Sequence, residues 1–199
     1  MGGELFAIRS VAEEAAPMFR ILTVVPLLAL GLSLSACADL GQPTVRAELK
    51  NAEGQVVGQA TFRPEPIGTR ASVEVSGLQP GPHALHIHEH PRCESGPDAE
   101  GKIIPFGAAG GHFDPGASKN HDSPHTTNDR GHGGDLPMIE VGEDGKGKLN
   151  FDTNRLKMSG QTSILGRSVV IHAGADDYQT DPAGGSGGRE LCGVLQAIN

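Results

Sequence analysis

Apolar and polar residues alternate along "TVRAELK" (44–50), and the same rhythm returns in "VVGQATFRP" (56–64) and "RASVEVSGL" (70–78). Successive side chains of a strand point to opposite faces, so a period of two describes a sheet with one face in a core and the other in water. "PHALHIHE" continues the pattern, as do "LPMIEV" and "KGKLNFDT" on either side of Gly142-Glu143-Asp144-Gly145, and then "RSVVIHA" and "ELCGVLQA". These segments predict about eight strands, and 29 Gly with 14 Pro in 199 residues supply the turns of an all-β chain. A chain of this length can fill one core, and one domain is expected. Two segments break the rhythm, residues 90–135 and 173–189. Loops so long within a compact domain are usually functional or disordered. His90, His112, His121, His125 and His132 all lie in the first, which favours function.

The first 40 residues stand outside this pattern. From Met18, "MFRILTVVPLLALGLSLSAC" places Arg20 before an apolar run from Ile21 to Ala36. The run is shorter than the roughly 20 residues that span a bilayer, and it reads as an export signal, residues 18–36. Leu34-Ser35-Ala36-Cys37 resembles a bacterial lipobox, which implies cleavage before Cys37, a diacylglycerol on its sulfur and a membrane anchor. Residues 1–17, with Glu4, Glu13 and Glu14, are unlike the start of such a signal and read as an extension upstream of the true start. Residues 37–43 are then the lipidated Cys and a linker, and 44–199 the domain. Cys93 and Cys192 remain as an even pair in an exported chain, so a disulfide is expected. Its loop of about 100 residues is worth on the order of 4 to 5 kcal/mol in the chain-entropy model. The expected place is the cell envelope, periplasmic and lipid-anchored. Ala38, rather than an Asp, follows Cys37, which favours the outer membrane where a cell has two. The formal charge of -8 becomes -7 without residues 1–36, which argues against a nucleic-acid partner, because phosphate contacts need a basic face.

His86 and His88 lie two apart on a strand and project from the same face, which is half of a metal site. His172, ending "VVIHAG", offers a third nitrogen, and an all-imidazole set suits copper held as both Cu(I) and Cu(II). In the long loop His112, His121, His132 and Asp135 offer three nitrogens and a carboxylate, the set that closes a tetrahedral zinc site. An irregular loop of this length needs such a staple to be ordered.

"HALHIHEH", "GGHFDP", "GHGGDLP", "VVIHAGADD" and "GGSGGRELCGV", in this order, resemble the copper/zinc superoxide dismutases over residues 44–198, and the close spacing of His88 and Cys93 is similar to the bacterial branch. The resemblance implies an eight-stranded Greek-key β-barrel or sandwich with two long functional loops. It implies dismutation of superoxide to oxygen and hydrogen peroxide as an antioxidant defence, with one redox-active copper and one structural zinc per chain. Matched motif by motif, His86, His88, His112 and His172 would bind copper, and His112, His121, His132 and Asp135 zinc, with His112 bridging the two. His112 would also take up a proton and deliver it to the nascent peroxide. Asp176, four residues past His172, matches the Asp that hydrogen-bonds one copper His and one zinc His. Arg189, three residues before Cys192, matches the Arg that stands beside copper and captures the anion, its loop tethered by the disulfide. His90 matches no family role and is expected in solvent at a strand end.

The chain departs from the pattern in places. His121 and His132 are 11 residues apart, two more than the family leads one to expect, and His125 between them is an alternative ligand to His121. Ala84 stands where the family usually has Gly. "GADDYQTDPAGGSGG" holds Asp176, Asp177 and Asp181 but no Lys, so long-range attraction of superoxide would fall to Arg92, Lys102 or Lys119. Three other readings fit less well. A copper-delivery domain of the same fold would lack the bridging His or the channel Arg. A cupin would place Glu where Arg92 and Cys93 stand, and an envelope lipoprotein with a purely structural role leaves the metal set unexplained. Assembly as a single chain or a homodimer stays open.

Overall fold

The computed structural model describes residues 41–198; the expected export signal, Cys37 and the upstream extension lie outside them. Alternation becomes burial strand by strand. Strand β1 (Thr44–Lys50) buries Val45, Ala47 and Leu49 and exposes Arg46, Glu48 and Lys50. Strands β2 (Val56–Pro64) and β3 (Thr69–Ser76) bury Ala60 and Phe62, and Ala71, Val73 and Val75, against the same core. The chain continues through β4 (Gly81–His83), β5 (Leu85–His88), the two-residue strands β6 (Gly96–Pro97) and β7 (Ile103–Ile104), and a 3-10 turn (Gly107–Ala109). It ends with β8 (Ile139–Val141), β9 (Lys146–Thr153), β10 (Ser168–His172), β11 (Arg189–Val194) and β12 (Gln196–Ile198).

All pairings of these strands are antiparallel, and the main sheet runs β4-β8-β9-β3-β2-β1-β11-β10-β5, with β12 also beside β1. Strands β4 and β5 stand at opposite ends of this path yet are separated in the chain by Ala84 alone, so the sheet bends round into a nearly closed barrel. Pairs such as β3 with β9 and β1 with β11 join distant parts of the sequence, as a Greek key requires. Ala84 spans the seam: its N–H donates to Gly174 O at 2.8 Å, and its carbonyl accepts from His172 N at 2.9 Å.

The eight-strand expectation and the observed elements differ at three places. "PHALHIHE" is two strands, because the chain changes partner at Ala84 from β8 to β10. "ELCGVLQA" divides at Leu195, and the small β6–β7 pair lies inside the first long loop.

Strands β5 and β10 are buried on both faces. Leu85, Ile87, Val169 and Ile171 point into the main core, where each large apolar side chain contributes about 1.5 to 3 kcal/mol. On the outer face Val170 packs with Phe106, Ala109, Cys192 and Cys93 in a second, smaller cluster. His86 pairs in register with Val170, and His88 with Ser168, so both imidazoles share that outer face. The long loop runs along the outer edge of β5: Ile87 N donates to Gly134 O at 2.9 Å, Phe113 N to Ile87 O at 2.8 Å and Glu89 N to Gly111 O at 3.0 Å. Gly134 is required for this approach, because a Cβ there would lie 2.3 Å from Ile87 O. A disulfide between Cys93 and Cys192 fastens the same loop to β11, with Cα atoms 5.6 Å apart.

Candidate metal centre

His86, His88, His112 and His172 bring one nitrogen each to within 4.8 Å of one another, and all four residues are buried. Their other nitrogens explain which way each ring faces. His88 Nδ1 donates to Gly110 O at 2.9 Å, and His86 Nε2 donates to Asp176 Oδ2 at 2.7 Å. His172 Nδ1 faces Ser186 Oγ at 3.1 Å and Gly187 O at 3.4 Å. A ring that donates from one nitrogen keeps its lone pair on the other. The nitrogens left over, His86 Nδ1, His88 Nε2, His112 Nε2 and His172 Nε2, are buried and have no hydrogen-bond partner. Each such orphan costs about 1 to 3 kcal/mol unless something satisfies it, so four together describe a place for a cation with imidazole ligands.

The second cluster gathers round Asp135. Its Oδ1 lies 2.8 Å from His112 Nδ1, 3.1 Å from His121 Nδ1 and 3.5 Å from His132 Nδ1. The His121 and His132 contacts do not have hydrogen-bond geometry. Ligands about 2.0 to 2.1 Å from a tetrahedral ion stand about 3.3 Å from one another, so these are the edges of a zinc-sized tetrahedron. His86, His112, His121 and Asp135 also place donor atoms within 4.8 Å of one another. His86 Nε2 is committed to Asp176, however, while His132 Nδ1 faces Asp135 with its ring 5.4 Å from that of His112. The geometry favours His132 in this set.

Asp176 joins the two clusters. Its Oδ2 accepts from His86 and its Oδ1 from His121 Nε2, both at 2.7 Å, which turns each Nδ1 inward. Gly184, at φ +64°, makes room for this: a Cβ there would lie 1.8 Å from Asp176 Oδ1 and 2.6 Å from His121 Nε2. Arg189, at the start of β11, donates from Nη1 to Phe106 O and from Nη2 to Gly110 O, both at 2.8 Å. The Gly110 carbonyl therefore holds both Arg189 and His88. His125 and His90 are exposed, the latter two residues past the end of β5, so His121 rather than His125 joins the buried cluster.

His83 was not singled out by the sequence. It is buried, with Nδ1 2.7 Å from His172 O and Nε2 2.9 Å from Gln79 O, and it braces the strand end that carries His172. Its odd spacing, three residues before His86 and five before His88, sets it on the opposite face of one apparent strand and gave no sign of this separate task.

Burial, and after it the neighbouring His112, push the His86 and His88 pKa values well below the usual imidazole range and that of His172 down to about 3. These rings are neutral and ready to ligate at pH 7. Burial also acts against the charge on His121, but the carboxylates of Asp135 and Asp176 beside it prevail and raise its pKa to about 9. The signs set the stability of the metal-free protein. Rings with lowered folded pKa values leave the unfolded chain binding more protons below about pH 6.5, so stability falls as pH drops from there toward 3. The stabilisation from His121 is full below pH 6.5 and is lost as pH rises through about 9. A thermal-unfolding series on metal-stripped protein is expected to peak near neutrality and fall on the acid side; a midpoint unchanged between pH 7 and pH 4 would contradict these assignments.

The family model for copper/zinc superoxide dismutase (SODC) matches residues 56–195. The Cu-Zn superoxide dismutase of Deinococcus radiodurans is 78% identical over 182 residues, which cover 92% of this chain and 100% of that protein. That of Brucella abortus is 38% identical over 150 residues, 74% of this chain and 83% of the relative. The solved Cu/Zn superoxide dismutase from Brucella abortus superposes with a TM-score of 0.67 at 35% identity, covering 76% of this chain and 98% of that one. Buried nitrogens without a hydrogen-bond partner thus cluster in a barrel similar to proteins named Cu-Zn superoxide dismutases. The chain belongs to the copper/zinc superoxide dismutases and, with copper and zinc as cofactors, converts superoxide to oxygen and hydrogen peroxide.

Proposed function

We propose that His86, His88, His112 and His172 hold the copper of this enzyme and that His112, His121, His132 and Asp135 hold the zinc. The observation that carries this reading is the single ring of His112: Nδ1 stands against Asp135, and Nε2 is unpartnered among the other three copper nitrogens. Copper, when bound, supplies the one-electron couple by which one superoxide is oxidised to oxygen and the next is reduced to peroxide. When not bound to copper, His112 Nε2 would hold one proton and deliver it to the peroxide, the second proton coming from water, while the zinc ligands would keep the ring in place. Asp176 fixes the rings of His86 and His121 from behind. Arg189, cationic at all working pH values and clamped on two carbonyls, binds and orients the superoxide anion. Its charge is near enough to His88 and His172 to disfavour their protonation, which keeps those lone pairs available.

The test compares superoxide decay with the protein loaded with zinc alone and with copper plus zinc. Fast decay in the copper-loaded protein alone supports the reading. An inert protein with one of each metal bound would overturn it and assign copper to delivery or buffering.

We also propose that Cys37 carries a lipid that holds the enzyme in the cell envelope. Support comes from the tetrapeptide Leu34–Cys37 and from the Cys93–Cys192 disulfide, which leaves Cys37 as the third cysteine and suits an oxidising compartment. Exported full-length protein is expected in the detergent phase of a phase-partition assay, and its Cys37→Ser variant in the aqueous phase; equal partition would remove the anchor.

A further inference from the structure

Arg155, in the segment between β9 and β10, is only 6% exposed. Its guanidinium reaches across to the loop that carries His121, His132 and Asp135. Nε donates to Asn128 Oδ1 at 3.0 Å, Nη1 to Ser123 O at 3.3 Å, and Nη2 to Gly131 O at 3.0 Å and to His132 O. Asn128 Nδ2 donates back to the Arg155 carbonyl at 2.9 Å, which closes the contact into a ring. Taking a cation out of water costs several kcal/mol, so a guanidinium spent on carbonyl and amide oxygens needs a structural return.

The return is visible in the loop. Residues 121–135 contain no run of helix or strand, yet they must aim two imidazoles at one carboxylate oxygen. His132 N donates to Asn120 O at 3.0 Å, and Asn120 Nδ2 to Arg130 O at 2.7 Å, which stitches the two ends of the His121–His132 stretch together. Arg155 grips the same stretch at its middle and at its far end. One of its acceptors is the carbonyl of His132 itself, the next in line is Gly131, and the fork geometry of the guanidinium fixes their relative orientation.

We propose that Arg155 is the positioning residue of the zinc half of the site: by holding the carbonyls of Ser123, Gly131 and His132 it sets the His121 and His132 rings toward Asp135 before zinc arrives, and thereby sets zinc affinity. This rests on the assignment of those residues to zinc. A cation here also has an opposing effect, because it repels an incoming divalent ion. Burial outweighs the through-space attraction of Asp135, Asp122 and Asp114 on Arg155 itself, but those carboxylates, facing the same space, blunt the repulsion. The hydrogen bonds have no such counterweight, so ordering prevails.

Zinc affinity of the metal-stripped full chain, measured by competition with a chromophoric chelator, decides the matter. Arg155→Met is expected to weaken zinc by about 10- to 100-fold, the range typical of groups that orient ligands from behind. Arg155→Lys keeps the charge but loses the planar fork, and it is expected not to restore the affinity. Asn128→Ala removes one acceptor and is expected to weaken zinc by a smaller factor. Cobalt placed in the zinc half of Arg155→Met is expected to show an altered visible spectrum, which a loss of barrel stability alone would not produce. Zinc affinity of Arg155→Met within about twofold of the parent, or tighter, overturns the proposal. If that variant does not fold, an unchanged affinity in Asn128→Ala overturns it. His132→Ala separates the two levels: unchanged zinc affinity there overturns the zinc assignment, whereas a loss there with none in Arg155→Met overturns the role of Arg155 alone.

Discussion

Replacing His112 by alanine is expected to weaken both metals at once. The ring presents one nitrogen to each cluster, with Nδ1 2.8 Å from Asp135 Oδ1 and Nε2 unpartnered among His86, His88 and His172. Groups that merely orient a ligand cost about 10- to 100-fold in metal affinity when removed, so loss of a ligand is expected to cost at least about 100-fold for zinc. The copper set falls from four nitrogens to three. The spectroscopic consequence is sharper than the affinities. With the shared ring present, exchanging zinc for cobalt is expected to change the copper absorption; in His112→Ala the copper spectrum is expected to ignore that exchange. A copper spectrum that still responds, or zinc affinity close to the parent's, would show that the ring is not shared.

The Cys93→Ser variant is expected to lose about 4 to 5 kcal/mol of stability, the chain-entropy value for a loop of about 100 residues. The observed disulfide spans a sequence separation of 99. For a domain of this size that corresponds to a fall in Tm of about 10 to 20 °C. A local effect adds to the global one. The bond pins the loop that supplies Phe106 O and Gly110 O, so its loss frees both carbonyls that clamp Arg189, one of which also orients His88. Amide exchange is therefore expected to quicken in residues 93–110, and superoxide turnover to fall more than metal content does. A Tm within about 3 °C of the parent would show that the metal-bound barrel holds this loop without the bond.

The strands were legible where one face is wet. Arg46, Glu48 and Lys50 mark the outside of β1 as clearly as Val45, Ala47 and Leu49 mark its inside. The break at Ala84 was hidden, because a period of two reports which face a residue takes and is silent on which strand lies beside it. Pairing of His86 with His88 follows from the strand alone, but the convergence of His112, His121, His132 and Asp135 depends on backbone that has no period: their donor chemistry suggested the set, and the family resemblance gave each its role. The clamp made by Arg155 is a further step removed. Nothing in "NRLKM" sets that Arg apart from a surface residue, since all its partners but the Asn128 side chain are backbone carbonyls, of residues 123, 131 and 132, and a carbonyl leaves no trace in the residue names.

The seam at Ala84 also bears on the order in which the molecule assembles. Strand β5 carries His86 and His88 at the end of the strand path, and its strand neighbour is β10, where Val170 faces His86 across most of a hundred residues of chain. Lys50 faces Cys192 across a longer span still. Contacts between such remote segments repay their loop-closure entropy late, and sheets built from them fold on the order of milliseconds to seconds. The nitrogens proposed for copper come from β5, the long loop and β10, so that half of the site waits until these remote segments meet. The four groups proposed for zinc lie within residues 112–135 of one loop, so the two ions are guests of different kinds: one needs strands paired, the other a single loop.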